Sequence, residues 1–386
     1  MVTNTHITTP YSFSPFTSID EILKEANRKR IVALGINDKN STDGFGEFAS
    51  VCEHSGIYPI YNIGLSIHDN SRQQRDIHGK AANIQESHPL QGLALRTPSP
   101  FSSDTKNLLA SIWKQSQDRI WKMIDKTNRH LSECAIPIQL DYNRIRTQIA
   151  KNSLHELHLS KALQIAIAAE AKKRNQSPHV FYTKLCKHTP DEDIPLHWRY
   201  LLHQALFSPG KAGYVTEMPS IHLSLQQAKE ILLHAGAIPC YLCDFQNSSE
   251  MESPETLLRF LTGEKIHAIE FIPQFTDKKR LSVYMQHFDR NDICVTVGTG
   301  CYIHTTPLLL PQTIDGAPLQ KDLLEISFRG TCILAAHQES HKTGKHGFID
   351  SSSNRLLSGN ELEGFIAFGA DIIKKYSQKS TQLQKK

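Results

Sequence analysis

The stretch that decides the fold is residues 32–65, VALGINDKNSTDGFGEFASVCEHSGIYPIYNIGL. Its first apolar run is typical of a buried strand, and the polar loop NDKNSTDG follows at once. The segment GFGEFASVCEHSG then predicts a helix that ends at Gly56, and YPIYNIGL predicts the next strand. Strand, helix and strand in this order favour an α/β fold with a mainly parallel sheet.

The same alternation continues on both sides of this stretch. Residues 18–30, SIDEILKEANRKR, predict a helix because Ser18 and Glu21 have the spacing of a capping box and apolar residues recur at helical intervals. The alternation is broken by a long helical region and resumes after residue 224. In the chain as a whole, predicted strands end near residues 38, 66, 95, 244, 272 and 298. In α/β barrels and doubly wound sheets the functional residues lie in loops at the carboxyl ends of strands. We therefore expect the site in these loops.

A long helical region interrupts the alternation. Residues 104–175 have a helical pattern, and residues 176–220 carry prolines and histidines and are expected to be irregular. A single barrel with an insertion fits a chain of 386 residues. We predict residues 1–103 as the first part of the barrel, 104–220 as a helical insertion, 221–350 as the second part of the barrel, and 351–386 as a C-terminal helix and basic tail. The sequence does not say what the insertion covers, since its position allows it either to cap the barrel mouth or to form a protein-binding face.

The composition is that of an ordinary globular protein. Hydrophobic residues make up 39% of the chain, charged residues 21%, and the formal net charge is +4. No basic stripe is interleaved with aromatic residues, so nucleic-acid binding is not expected. The first residues lack a signal-peptide pattern, and no apolar stretch is long enough for a membrane helix. The sequence therefore predicts a cytoplasmic protein without a membrane partner.

Histidine and cysteine are the residue types that would point to a metal, and 20 histidines and 8 cysteines are present. His337, His341 and His346 cluster near the C-terminus, and a surface position is favoured because no nearby acidic residue completes a metal site. Cys240 and Cys243 form one CxxC pair without a second pair, and residues three apart on a strand face opposite sides. Buried reduced thiols are the favoured interpretation of the cysteines.

Six motifs at predicted strand ends belong together. They are NTHITTPYS at 4–12, ALGINDKNSTDGFGEF at 33–48, GIYPIYNIGLS at 56–66, AKEILLHAGAIPCYLCD at 228–244, HAIEF at 267–271 and VGTGCYIHTTP at 297–307. In this order the chain resembles the PHP superfamily, named after DNA polymerase and histidinol phosphatase, over roughly residues 2–310. The resemblance implies a distorted (β/α)7 TIM-like barrel of about seven parallel strands, here with a helical insertion. It also implies two or three divalent metals at the carboxyl mouth of the barrel, where active members hydrolyse phosphate esters.

Most residues that hold the metals in this family are replaced in this chain. The resemblance matches family histidines only at His6 and His304. The replaced positions are Thr8, Lys39, Gly64, Cys243 and Tyr302. Each lost ligand weakens metal binding, and an ammonium group at Lys39 repels a divalent cation. A di- or trinuclear phosphoesterase centre is therefore not expected.

The first hypothesis is a PHP-like protein related to metal-dependent phosphoesterases but catalytically inactive or impaired, which acts in ligand binding or as a scaffold. Lys39, with Asp38 and Asn40 beside it, would hold an anionic or phosphorylated small molecule where the family holds its metals. No cofactor is expected in this case. A simpler alternative is that Lys39 pairs with Asp38 or Asp43 on a solvated loop.

The second hypothesis is an enzyme, a metal-dependent phosphoesterase or other hydrolase with a reduced set of ligands. His6, Cys243 and His304 would bind one zinc ion and leave a position open for water, because thiolate and imidazole together suit zinc. Manganese is the other metal that this hypothesis allows. The sequence alone leaves open whether the chain is an enzyme.

Overall fold

The computed structural model of the chain describes residues 1–65, 67, 74–75, 81–82, 90–97, 100–187, 194–216, 223–245, 253–300 and 309–383. The strands in these ranges are β1 (Val2–Ile7), β2 (Ile31–Lys39), β3 (Tyr58–Leu65), β4 (Gln74–Arg75), β5 (Ala81–Ala82), β6 (Leu90–Leu93), β7 (Ile238–Cys243), β8 (Ala268–Phe271) and β9 (Cys294–Val297). The helices are α1 (Ile19–Arg28), α2 (Phe45–Ser55), α3 (Ser103–Glu133), α4 (Tyr142–Gln148), α5 (Glu156–Lys173), α6 (His179–Leu185), α7 (Pro195–Leu206), α8 (Leu225–His234), α9 (Pro254–Gly263), α10 (Lys278–Arg290), α11 (Lys321–Lys342) and α12 (Gly359–Leu383).

Seven of the strands form one sheet in the order β1-β2-β3-β6-β7-β8-β9, and β4 pairs only with β5. Strands β1 to β3 are parallel to one another, and so are β7 to β9. The sheet curves until the residues after β9 reach β1, where the N–H groups of Thr299 and Gly300 donate to the carbonyl of His6 at 3.3 and 3.0 Å. The fold is therefore α/β, a nearly closed and distorted TIM-like barrel with a helical insertion, as the sequence predicts.

Strand β6 is the main distortion of the barrel. It runs antiparallel to both of its neighbours, β3 and β7. Leu90, its first residue, pairs with Leu65 at the carboxyl end of β3. The start of β6 therefore lies at the edge of the barrel formed by the carboxyl end of β3. The sequence instead predicts that the end of this strand, near residue 95, lies at that edge.

The outer face of the barrel is apolar and is covered by helices α1, α2, α8, α9 and α10 in one hydrophobic cluster. Helix α1 shows how the sequence builds this layer, because its buried positions are the ones predicted from helical spacing, Ile19, Ile22, Leu23 and Ala26. Ser18 caps the helix by accepting the N–H of Glu21 at 3.1 Å. The Glu21 carboxylate accepts instead from the N–H and hydroxyl of Thr17, so one half of the predicted capping box is present.

Helix α11 lies across the opposite end of the barrel, at the N-terminal ends of the strands. Thr331 donates to the hydroxyl of Thr3 in β1 at 2.9 Å, and Gln338 donates to the carbonyl of Pro59 in β3 at 3.0 Å. Apolar residues from β2, β3, β6, β7, β8 and β9 pack in one cluster with this helix. The helix therefore closes the N-terminal end of the barrel with packed apolar side chains.

The histidine cluster near the C-terminus begins inside this layer. His337 is 1% exposed, and its Nε2 lies 2.9 Å from the carbonyl oxygen of Gly236. Its Nδ1 accepts the N–H of Phe348 at 2.9 Å. Burial, with a smaller contribution from the charge of His341, lowers the pKa of His337 to about 3, so the ring is neutral at physiological pH. The predicted surface position is therefore wrong for His337, because α11 is a buried helix.

Helices α3 to α7 form the insertion and have a hydrophobic core of their own. Tyr182 of α6 stacks on Trp198 of α7 with ring centroids 4.4 Å apart. The segment 176–220, predicted to be irregular, therefore contains two helices. Pro178 and Pro195 lie at the N-terminal positions of these helices, where proline is tolerated, and not in their interiors.

Within the described ranges, no helix combines the length and the apolar character needed to cross a membrane. Seven of the eight cysteines lie in these ranges, and all seven are free thiols. Cys134 is half-buried and the others are buried, which agrees with the favoured interpretation. Cys301 lies outside the described residues.

Candidate functional site

A buried polar network surrounds Glu270 of β8 inside the barrel. The carboxylate accepts hydrogen bonds from Thr5 Oγ1, from Gln91 Nε2 at 2.5 Å and from Thr296 Oγ1 at 3.2 Å. His6 Nδ1 lies 2.8 Å from Glu270 Oε2. Residues of β1, β6 and β9 therefore hold one fully buried carboxylate.

The network keeps Glu270 ionised. Burial on its own raises the pKa of this carboxyl, but the hydrogen bonds from His6, Thr5 and Gln91 and the charge of His6 outweigh burial and hold the pKa below its usual range. Because a carboxylate accepts and does not donate, His6 presents its Nδ1 proton to Glu270. Glu270 thus fixes the orientation of the imidazole and holds a proton on its Nδ1.

Asn37 of β2 links His6 to Gln91. Its Nδ2 donates to Gln91 Oε1 at 2.5 Å and lies 3.0 Å from Nδ1 and 3.2 Å from Nε2 of His6. Its Oδ1 is buried and has no hydrogen-bond partner among the described residues. A Cβ atom built on Gly64 of β3 would lie 3.6 Å from this oxygen. The network therefore has one unsatisfied acceptor, which faces Gly64, a position where the resemblance implies that a metal-binding residue of the family is replaced.

Gly298 leaves room for His6 beside it. A Cβ atom at residue 298 would lie 2.2 Å from the Cβ of His6, which is far closer than two such atoms approach. Glycine is therefore required here by the close approach of β1. The first glycine of VGTG serves packing around His6.

Asp38 is fully buried and anchors the loop after β1. Its two oxygens accept the N–H of Thr9 at 2.8 Å and the hydroxyl of Thr9 at 2.6 Å. Burial raises the pKa of Asp38 to about 7, although the bonds from Thr9 act in the opposite direction. Successive residues of a strand face opposite sides, so Asp38 and Asn37 lie on different faces of β2.

Lys39 is the last residue of β2 and follows Asn37 by two positions, which places both on the same face of the strand. Asn40 has a φ of 54° and donates its N–H to the carbonyl of Gly64 at 2.8 Å. Lys39 and Asn40 line one wall of a cleft between the barrel and the insertion. The other wall belongs to α3 and the start of α5 and includes Trp113, Ser116, Arg119, Ser153, His155 and Glu156.

Glu156 and Arg119 form an ion pair in this cleft, with Arg119 Nη1 3.2 Å from Glu156 Oε2. Burial raises the pKa of Glu156, but the positive charges of Arg119, His155 and Lys39 lower it by more than burial raises it. The pKa of Glu156 therefore lies below its usual range. Arg119 also donates from Nε to the carbonyl of Val215 at 2.8 Å. Glu156 is therefore ionised and held mainly by Arg119.

The two acids nearest to Lys39 in sequence are engaged elsewhere. Asp38 accepts from Thr9, and Asp43 accepts from the amide of Asn152. In the part of the chain that the structure describes, no side chain is hydrogen-bonded to the Lys39 ammonium group. The simple pairing of Lys39 with either acid is therefore absent from the described residues.

The insertion covers the loops that follow β1 and β2. Lys151 Nζ lies 2.6 Å from Glu47 Oε2, and the Lys151 N–H donates to the carbonyl of Pro10 at 3.1 Å. Ser12 Oγ lies 3.4 Å from His155 Nε2. Of the two placements predicted for the insertion, these contacts agree with the one that caps strand-end loops.

The structure does not bring His6 and Cys243 together. Cys240 accepts a hydrogen bond from Gln91 Nε2 at 3.6 Å inside the barrel. Cys243, three residues later, faces the other way and packs in the outer hydrophobic cluster with residues of α10. His304, the third candidate zinc ligand, lies outside the described residues, as does Tyr302.

The described residues do not by themselves fit a metal centre. Within these ranges, no group of three or more His, Cys, Asp or Glu side chains is placed to hold an ion. His6 and Glu270 do meet, but each already uses the other as a hydrogen-bond partner. A metal at this point would need further ligands from outside the described ranges.

Glu270, Gln91 and Asn37 are site residues that the sequence interpretation did not identify. The sequence does contain a signal that could have pointed to these three residues, because each is a polar residue within or beside a short apolar strand. Such residues are buried with the strand and must find hydrogen-bond partners. The pattern predicts a polar network but does not say which residues meet in it.

The sequence matches no protein-family profile and no curated protein sequence. Among solved structures, it is similar to a candidate metal-dependent phosphoesterase from Bifidobacterium adolescentis ATCC 15703, with 14% identity, a TM-score of 0.55, and coverage of 85% of this chain and 95% of that chain. It is also similar to an amidohydrolase from Chromobacterium violaceum, solved with bound sulfate and no metal, with 16% identity, a TM-score of 0.53, and coverage of 84% and 97%. At these identities the similarity establishes a shared fold and nothing beyond it.

Proposed function

We propose that this chain binds an anionic, phosphorylated small molecule at the mouth of its barrel through Lys39, and that it does not hydrolyse phosphate esters at a multinuclear metal centre. The observation that carries the proposal is the position of Lys39. It ends β2 on the face of Asn37, lines a cleft, and has no hydrogen-bonded side chain on its ammonium group among the described residues. A cation in that position attracts an anion and repels a divalent metal.

The state of Glu270 supports the same proposal. Four donors already surround its carboxylate, so a metal ligand role would require breaking buried hydrogen bonds. The amidohydrolase from Chromobacterium violaceum contains sulfate without a metal. A protein of this fold therefore accepts a tetrahedral oxyanion in the absence of a metal, which supports an oxyanion as the ligand here.

The proposal is tested by thermal unfolding with inorganic phosphate and a panel of phosphorylated metabolites. A ligand at 100 times its Kd stabilises the folded chain by about 2.7 kcal/mol, which raises the Tm by several degrees. Lys39→Ala should abolish this rise. Lys24→Ala is the matched control, because Lys24 lies on the exposed surface of α1 and pairs only with Asp20 there. A wild-type protein that no compound stabilises would contradict ligand binding and leave the scaffold role.

A second candidate function is a metal-dependent hydrolase with one zinc or manganese ion, since both solved structures named above are described as hydrolases. Its candidate ligands stay His6, Cys243 and His304, although Cys243 packs in the outer cluster. Metal analysis of protein purified without chelator, together with Cys243→Ala and His304→Ala, tests this candidate. Phosphatase turnover with added manganese that His6→Ala removes would favour the enzyme over the binding protein.

A further inference from the structure

Lys39 is exposed at the cleft, and the insertion adds a buried donor there that has no partner in the described part of the chain. The indole Nε1 of Trp113 in α3 is buried and has no hydrogen-bond partner among the described residues. Trp113 and Lys39 line the same cleft. A buried N–H group without an acceptor costs free energy, so this indole calls for an acceptor from a ligand.

The charges around the cleft favour an acceptor that is also an anion. Lys39 lies on the barrel wall, and the guanidinium of Arg146 lies over the face of the Trp113 ring, 5.4 Å from its centroid. The one acid that lines the cleft, Glu156, is paired with Arg119. Lys39 attracts Glu156 through its charge, less strongly than Arg119 does, but among the described residues neither Lys39 nor the Trp113 indole is hydrogen-bonded to this carboxylate.

The two donors belong to different parts of the molecule. Lys39 ends a barrel strand, whereas Trp113 belongs to the first helix of the insertion. A small tetrahedral oxyanion offers several acceptor oxygens, and it can accept from both donors at once. Ser116 and Ser153 line the same cleft and carry hydroxyl groups that suit the remaining oxygens.

We infer that the cleft is a phosphate-ester binding site shared by barrel and insertion, in which Trp113 Nε1 and Lys39 Nζ donate to the same phosphate group. The inference rests on the proposed function and deepens it, because it makes the insertion part of the site. Trp113 acts as a binding residue through its N–H group and not only through its ring.

The test is isothermal titration calorimetry of the full chain with inorganic phosphate. Trp113→Phe keeps an aromatic ring but removes the N–H donor, and it should weaken phosphate binding about tenfold, the usual effect of one hydrogen bond to a charged group. Lys39→Ala should abolish binding. Trp121→Phe is the matched control, because Trp121 lies on the same helix but is 60% exposed and outside the cleft. Its affinity should equal that of the wild type.

The indole N–H resonances give a second measurement that does not require Trp113→Phe to fold well. The chain has three tryptophans, so a two-dimensional 15N spectrum shows three indole signals, and Trp121→Phe and Trp198→Phe identify the remaining one. Phosphate should shift the Trp113 signal and leave the other two unchanged. Binding that Lys39→Ala removes, with an unmoved Trp113 signal and unchanged Trp113→Phe affinity, overturns this inference alone. A wild-type protein that binds neither phosphate nor any phosphorylated metabolite of the panel, or binding that survives Lys39→Ala, overturns the proposed function and the inference together.

Discussion

At the scale of single residues, Asp38 and Glu270 show how the same barrel treats two buried carboxyl groups in opposite ways. Glu270 receives bonds from four donors and has a lowered pKa, whereas Asp38 receives bonds from Thr9 alone and has a pKa of about 7. The difference is the number of donors that replace water around each charge. Asp38 therefore makes folding stability depend on pH in the neutral range.

Asp38→Asn tests this dependence. The pKa of Asp38 in the folded state lies above the unfolded value of about 3.9. Between about pH 4 and 7 the folded state therefore keeps a proton on Asp38 that the unfolded state loses. The stability of the wild type falls as pH rises through this window. The loss is roughly 2–4 kcal/mol at neutral pH. Asparagine keeps one oxygen that accepts the Thr9 N–H, offers an N–H group to the Thr9 hydroxyl in place of the second acceptor, and carries no charge. Urea unfolding at pH 4.5 and 7.5 should show a difference between variant and wild type that grows with pH, and an equal difference at both values contradicts the assignment.

Sequence patterns identify single residues only in part. The family resemblance points to the strand-end positions of His6 and Lys39, because the spacing of strand, loop and helix is preserved around them. It does not reveal Glu270, because three partners of this carboxylate, Thr5, His6 and Gln91, are more than 150 positions away in the sequence. Contacts at that separation follow from the closure of the barrel and not from local sequence.

At the scale of secondary-structure elements, α11 is held between the barrel and α12 by contacts with the backbone. A Cβ atom at Gly330 would lie 1.9 Å from the carbonyl oxygen of Val295 in β9. A Cβ atom at Gly369 of α12 would lie 1.9 Å from the carbonyl oxygen of Cys332 in α11. Three layers therefore meet without a side chain between them at these points.

Gly330→Ala should destabilise the chain by roughly 3 kcal/mol, because the new methyl group meets backbone that cannot rotate away. Gly364→Ala is the control, since it also replaces a helical glycine but has no atom within 4 Å of the added Cβ. That variant should be unchanged or more stable by roughly 0.5–1 kcal/mol. Chemical denaturation of both variants measures the difference. Equal stability of the two would mean that α11 has room to move away from β9.

The order and type of most elements follow from local sequence. Strand β2, helix α2 and strand β3 are predicted within one or two residues, since their apolar periods and the final glycine of α2 are local signals. The antiparallel direction of β6 is not predicted, because it depends on its pairing with β3 and β7. The helices α6 and α7 are also missed, because prolines near their starts suggest irregular chain.

At the scale of the whole molecule, the insertion and the barrel each have a core, and polar contacts join them beside the cleft. Glu47 is central to this junction. It accepts from Lys151 Nζ at 2.6 Å and from the hydroxyl of Tyr11 at 2.9 Å. Because exposed ion pairs add little to stability, this junction sets the position of the insertion more than the stability of the chain. The division into residues 1–103, 104–220, 221–350 and 351–386 stays a prediction.

Glu47→Gln should therefore cost less than about 1 kcal/mol of stability and still weaken phosphate binding severalfold, since it loosens the wall that carries Trp113. Calorimetric titration and urea unfolding of the same variant separate the two effects. Glu25→Gln serves as the control, because it breaks a comparable exposed pair with Arg28 on α1. Unchanged phosphate affinity in Glu47→Gln would show that binding is independent of how the insertion is seated.

The closure of the barrel by α11 has a kinetic consequence. With its N-terminal end sealed by a packed helix, the barrel is not a tunnel. A compound that enters at the strand ends leaves by the same route, so arrival and departure compete for one passage. Two ligands therefore exchange one after the other, and a bound molecule that dissociates slowly delays the entry of the next.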